Sequence, residues 1–188
     1  MDCMSSSNAP PPKSAAPPSP LTDRSDLMIF LGLSFTTNPI SCFHVLVFLL
    51  DRVSELSIKE AEDGDMVESG KALLAPGDAH MILKTKGSSY QVKLDTGELV
   101  NRHRPAVDVL FRSVASIAGS AAVGVILTGM GNDGAQGMGE MHDEGALTLA
   151  QDQESCVVFG MPRVAVESGA VDESLPPDQI VKRLLEWC

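Results

Sequence analysis

The stretch Gly129-Met-Gly-Asn-Asp-Gly134 sets one carboxylate, Asp133, inside a glycine-dense turn that follows the β-branched run VILT. It spells G-x-G-x-x-G, and glycines in that pattern let a backbone approach a pyrophosphate lying on a helix N-terminus. Asp152, about 18 residues on, even stands near the spacing of a ribose contact. Asp133 argues against this dinucleotide use, because a carboxylate would sit where the phosphate oxygens must lie. At ~4 Å such a like-charge pair costs on the order of 1–4 kcal/mol even when screened. A glycine loop at a strand end also serves to present a catalytic group. An aspartate there accepts a hydrogen bond from an imidazole and fixes its tautomer during acyl transfer. A plain structural use stands beside it: Asp133 as a cap on the helix that follows.

Other reactive side chains are sparse. His44, His80, His103 and His142 show no H-x-x-x-H spacing, and Cys3, Cys42, Cys156 and Cys188 form no C-x-x-C pair. The expectation is isolated reduced thiols, no metal site and no cofactor. The formal charge of −11 disfavours nucleic acid and anionic membrane surfaces as partners.

The elements that must position Asp133 follow from hydrophobic patterning. Residues 1–26 hold six of the twelve prolines with many Ser and Ala, and read as a disordered, linker-like segment. Residues 27–50 are apolar enough for a membrane span by length. Thr36-Thr37-Asn38-Pro39 breaks their centre, and His44 sits in the second half, so two buried strands, LMIFLGL and HVLVFLL, fit at least as well. Further on, ALLAP, HMILK and SYQVKL predict short strands, the last two joined as a hairpin through Thr85-Lys-Gly-Ser88. From Pro105, apolar residues at 107, 110, 111, 114, 117 and 118 have helical spacing. The strand VGVILT, a helix to about Glu144, the strand ALTLAQ, a helix opened by Pro162 and a last helix from Pro177 complete the chain. Alternating strands and helices give an α/β class with a mostly parallel sheet.

The segments NRHRPAVDVLF (101–111), VGVILTGMGNDGAQGM (123–138), AQDQESCVVFGMPRVAVESGAV (150–171) and IKEAEDGDMVESGKALLAPGDAHM (58–81) resemble the catalytic domain of the chemotaxis protein-glutamate methylesterases. The resemblance is clear from about residue 52 and assigns residues 27–188 to that domain. It implies a doubly wound, Rossmann-like three-layer fold carrying an antiparallel hairpin, with the N-terminal βα unit incomplete. It further implies a cytoplasmic serine hydrolase with a Ser-His-Asp triad. Such an enzyme removes methyl groups from glutamates of methyl-accepting chemotaxis receptors, releasing methanol, and in many members deamidates receptor glutamines. Membranes would be met only through those receptors.

Position by position, Asp133 matches the family's triad aspartate, and Met130 a residue whose backbone N–H serves the oxyanion site. His103 matches a histidine near the cleft, with a helix-entry hydrogen bonder as its plain alternative. Cys156 falls in a packing segment. The family nucleophile lies in I-G-A-S-T-G-G, for which Leu31-Gly-Leu-Ser34-Phe-Thr-Thr37 is the nearest match. Ser34 is thus the candidate nucleophile, although threonines replace both glycines of the elbow. His44 is the candidate general base, lacking the proline of the family's Q-H-M-P. Only nine residues separate it from Ser34, too few for the family's intervening helix and strand. A buried serine and a core histidine in a strand are the plain alternatives. No phosphorylated receiver precedes the linker-like segment, which points to a separate receiver protein. A relative without catalysis, binding receptor or partner, is the second functional reading.

Overall fold

A computed structural model describes residues 28–32 and 40–187, with side chains described from Val47 onward. The linker-like expectation for 1–26 and the candidate Ser34 both lie outside the described residues.

The centre is a four-stranded parallel sheet in the order β1 (Met28–Gly32), β6 (Ala122–Ile126), β7 (Leu147–Gln151), β8 (Glu173–Leu175). All its pairings are parallel, as expected. Strand side chains alternate between faces, and both faces of this sheet are covered, so β6 and β7 are buried throughout. Val123, Val125, Leu147 and Leu149 pack under α5 (Pro177–Trp187) through Ile180, Leu184 and Trp187. Ala122, Ile126 and Ala150 face the other way. They join the cluster built by α2 (Val107–Ile117), α3 (Ala135–Asp143) and α4 (Met161–Glu167). The layers are therefore helix, sheet, helix. Gly124 allows the close approach of α3, because a Cβ there would stand 3.0 Å from Met138 Sδ and 3.1 Å from Met141 Sδ.

Two small ladders flank this unit. β4 (His80–Lys86) and β5 (Ser89–Asp95) form the expected antiparallel hairpin, paired Lys86 to Ser89. Gly87, at φ +63°, takes the first turn position, which the right-handed strand twist reserves for such a residue. The hairpin rests on α2, where Ser113 Oγ accepts the Leu83 N–H at 2.9 Å. β2 (Ser57–Glu60) and β3 (Lys71–Leu74) form a parallel pair. β2 and β8 had no sequence expectation, since runs of four and three residues carry too little alternation to stand out.

One expectation is corrected. MIFLG, within LMIFLGL, does form β1, but HVLVFLL is helical, within α1 (Ile40–Val53). A short apolar run reads alike as buried strand or helix, and length arbitrates. The 14 residues from Ile40 contain no glycine or proline to stop a helix. His44 therefore lies on a helix backbone and not in a core strand. Among the described residues no helix is long and apolar enough to cross a membrane.

A charged turn ties β2 to the hairpin. Asp65 accepts the Glu62 N–H at 2.7 Å and pairs with Lys59 at 3.0 Å, while its own carbonyl accepts the Val92 N–H. Burial pulls the Asp65 carboxyl upward, but the Glu62 N–H, Lys59 and Lys71 together outweigh it and leave the group below its ordinary value. A depressed carboxyl stabilises the fold above its unfolded value and loses that contribution as pH falls through the folded one. Asp65→Asn is expected to cost about 1 kcal/mol at pH 7 and progressively less in acid. Urea titrations at pH 7 and pH 3 check this; an equal cost at both would remove the charge from the account.

Candidate active site

The loop leaving the carboxyl end of β6 carries Asp133 to the N-terminus of α2. Its glycines answer to space and dihedral angle. Gly129 donates its N–H to Val158 O at 3.1 Å and accepts from Met161 N–H at 2.8 Å, and a Cβ on it would stand 2.4 Å from Met161 Sδ. Gly134, at φ +85°, opens α3 against Val107, whose Cγ1 would lie 2.6 Å from an added Cβ. The loop is thus pinned between α2 and α4.

Asp133 is only 3% exposed, and four donors converge on it. Oδ1 accepts from Asn101 Nδ2 at 2.7 Å and from the Asp108 N–H at 3.2 Å. Oδ2 accepts from the Val107 N–H at 2.7 Å and meets His103 Nε2 at 3.0 Å. Val107 and Asp108 are the first two residues of α2, whose N-cap, Ala106, has no side chain to offer. Asp133 therefore does cap a helix, but it is α2 and not the helix that follows it. The carboxylate also sits favourably at the positive end of the α2 dipole.

The arrangement is reciprocal. Asp108, 4% exposed, accepts the Gly137 N–H, in the first turn of α3, at 2.8 Å on Oδ1. Its Oδ2 accepts from Asn101 Nδ2 at 2.8 Å. Each helix thus receives its capping carboxylate from the other's N-terminal region. A phosphate has no place here: Ala135 N–H already bonds Asn132 O, and Gly137 N–H is taken by Asp108. The contact between the helices depends on Gly137, where a Cβ would stand 2.7 Å from Phe111 Cβ and 3.0 Å from Asp108 O. Gly137→Ala is expected to cost about 1–3 kcal/mol by forcing α2 and α3 apart. Thermal unfolding checks it, and an unchanged midpoint would show that the helices yield freely.

The segment before α2 is held as a strap. Ala106 N–H donates to Nδ1 of the buried His80, so the His80 proton sits on Nε2 and goes to Glu98 O at 2.9 Å. Arg104 Nη1 donates to the carbonyls of Thr96 and Gly97. Asn101 and Arg102 then take left-handed dihedrals, φ 54° and 71°, which turn the chain so that Asn101 and His103 both face Asp133.

His103 has both ring nitrogens committed, Nε2 to Asp133 and Nδ1 to Asn101 O at 2.9 Å. Both nitrogens are turned toward acceptors within the protein and neither toward a nucleophile, so His103 acts as Asp133's hydrogen-bond partner and not as a general base. Met130, within the loop, is 80% exposed, and among the described residues its N–H has no acceptor. Cys156 bonds Gln151 O through Sγ, and burial, which outweighs the lowering hydrogen bond with Thr128 and is reinforced by Asp152, pushes its thiol upward. A thiol held protonated packs; it does not attack. Among the described residues no group of His, Cys, Asp and Glu is arranged to hold a metal.

Sequence reasoning missed Asn101, Asp108 and His80. Asn101 left a usable signal, since asparagine is the residue most tolerant of the left-handed region after glycine. Asp108 left none, because an acid in a helix's first turn ordinarily serves its own helix dipole.

The fold and site define a class: a three-layer parallel α/β domain that presents a buried, fully hydrogen-bonded carboxylate at the carboxyl end of a central strand. The chain belongs to the CheB methylesterase family, which it matches over residues 38–184. The catalytic domain of Thermotoga maritima CheB methylesterase superposes with a TM-score of 0.78 at 38% identity, covering 85% of this chain and 82% of that one. A protein-glutamate methylesterase/protein-glutamine glutaminase of Chromobacterium violaceum is 55% identical over 135 residues, which is 72% of this chain and 38% of the relative. One from Pectobacterium atrosepticum is 58% identical over 136 residues, 72% of this chain and 39% of the relative. The chain thus spans about two fifths of the length of these curated relatives.

Proposed function

We propose that this chain is the catalytic part of a protein-glutamate methylesterase and protein-glutamine glutaminase, acting in the cytoplasm on chemotaxis receptors. The observation that carries the reading is Asp133, buried at the end of β6 and held by hydrogen bonds on both carboxylate oxygens. It lies in a chain more than half identical, over most of its length, to relatives bearing that name. The catalytic unit runs over 27–188, with 1–26 as its linker.

In this reading Ser34 Oγ attacks the ester carbonyl and His44 takes its proton. Asp133 orients that imidazole, and the Met130 N–H stabilises the oxyanion. The proton passes to the departing methoxide, methanol leaves, and water hydrolyses the acyl-enzyme to a glutamate carboxylate. Gly32, the last residue of β1, pairs with Ile126, so β1 ends level with the strand that leads to Asp133. This register supports Ser34 as the nucleophile. A second imidazole could bond Oδ2 only if His103 gave that oxygen up.

The second reading, a relative that binds receptor or partner without hydrolysis, is favoured by that last point. Asp133 already has two partners on each oxygen, and both ring nitrogens of His103 are turned toward groups within the protein. Methanol release from methylated receptors tests the first reading. Absence of turnover at high concentration of folded protein, with no labelling of Ser34 by a fluorophosphonate, would replace it by the second.

A further inference from the structure

Two carboxylates, Asp133 and Asp108, are buried side by side at facing helix ends, and one small side chain lies between them. Asn101 Nδ2 donates to Asp133 Oδ1 at 2.7 Å and to Asp108 Oδ2 at 2.8 Å, so both of its protons are spent on the pair. The two neighbours are acceptors, and this decides which end of the amide faces inward. Asn101 itself is exposed, and covers the carboxylates from the solvent side.

We propose that Asn101 is the positioning residue of Asp133. Its amide fixes the Asp133 side-chain rotamer, and thereby the place where Oδ2 meets the imidazole. The proposal rests on the reading of Asp133 as the group that orients a histidine. Two requirements meet at position 101. The backbone stands at φ 54°, where β-branched and bulky residues are strained, and the side chain must supply two donors within reach of two carboxylates. Glycine satisfies the first alone. Glutamine has the donors but a longer reach and less tolerance of the left-handed region. Asparagine satisfies both. Without the amide, the two like charges face each other directly. Asp133 then relieves the repulsion by rotating away from Asp108, carrying Oδ2 off His103 Nε2.

Asn101→Gly removes the amide without straining the backbone. The readout is the imidazole ring nitrogen resonances of His103, which report the hydrogen bond at Nε2 and require no turnover. Failure of the esterase reading therefore leaves this measurement intact. Ser113→Ala is the control: it removes the bond to Leu83 N–H on the hairpin side of α2 and destabilises away from the carboxylates. The expected result is a changed His103 Nε2 resonance, or several resonances, in Asn101→Gly and an unchanged one in Ser113→Ala. A lower unfolding midpoint in both, with His103 unchanged in both, would overturn the proposal and leave Asn101 as a structural residue. Should Asn101→Gly not fold, the unsubstituted chain decides. Through-hydrogen-bond couplings from the Asn101 side-chain amide to both the Asp133 and Asp108 carboxylate carbons support the proposal, and their absence refutes it.

Discussion

Asp133→Asn is expected to lower folding stability by about 3–5 kcal/mol, the range seen when one partner of a buried charged contact is removed. Asp133 is 3% exposed and receives donors on both oxygens. An amide has only one acceptor atom. In one orientation its NH2 group faces Asn101 and the Asp108 N–H; in the other it faces His103 and the Val107 N–H. Either way two donors meet a donor, and two bonds to a charged group, each worth about 1.5–3 kcal/mol, are lost. The first turn of α2 then has no cap, since Ala106 provides none. Urea titration at pH 7 measures the loss, as a lower midpoint with an unchanged slope. A cost under about 1 kcal/mol would mean that water replaces the carboxylate, contrary to its burial. In the esterase reading, turnover per folded molecule falls as well, by about 10⁴ where the triad operates. Rates must therefore be normalised to the folded fraction.

Self-association is the second large effect expected. α1 and the residues after it leave Phe48, Leu49, Leu50, Val53 and Leu56 exposed, with Val53 83% open to solvent. Arg52 lies over the Phe48 ring at 5.7 Å. Contiguous apolar patches beyond roughly 400 Å² drive association or aggregation. The chain is expected to run larger than a monomer in light scattering at about 100 μM. Leu49→Lys combined with Val53→Glu is expected to return it to the monomer with a stability change within about 0.5 kcal/mol, because both positions face solvent. A soluble monomer without the substitutions would refute the expectation. A double variant that still associates would move the contact off α1.

The two expectations differ in how far the sequence foresaw them. The apolar excess of residues 27–50 was legible at once, because hydrophobicity is counted residue by residue. Its form was not. Its first part pairs beside β6 as the strand MIFLG, while HVLVFLL turns helical within α1. Both are runs of aliphatic and aromatic residues, and neither has a polar alternation to mark its period. The hairpin at Gly87 and the helices at Pro162 and Pro177 were legible because turn and first-turn residues act through their own backbone.

By itself, the sequence determined the order of most elements, the mostly parallel sheet, the placement of Asp133 at the end of a buried strand and the family. These follow from local periodicity, turn chemistry and long matched segments. Only the tertiary structure decided what Asp133 touches. Its partners come from positions 101, 103, 107 and 108, some thirty residues earlier in the chain. The same geometry turned the expected cap from the following helix to α2, set Asp108 against α3, and gave Asn101 two carboxylates to bridge. A side chain's hydrogen-bond capacity is written in its residue type, but its partners are chosen by the packing of helices over the sheet. Here that packing is set by how closely Gly124, Gly134 and Gly137 let the helices approach.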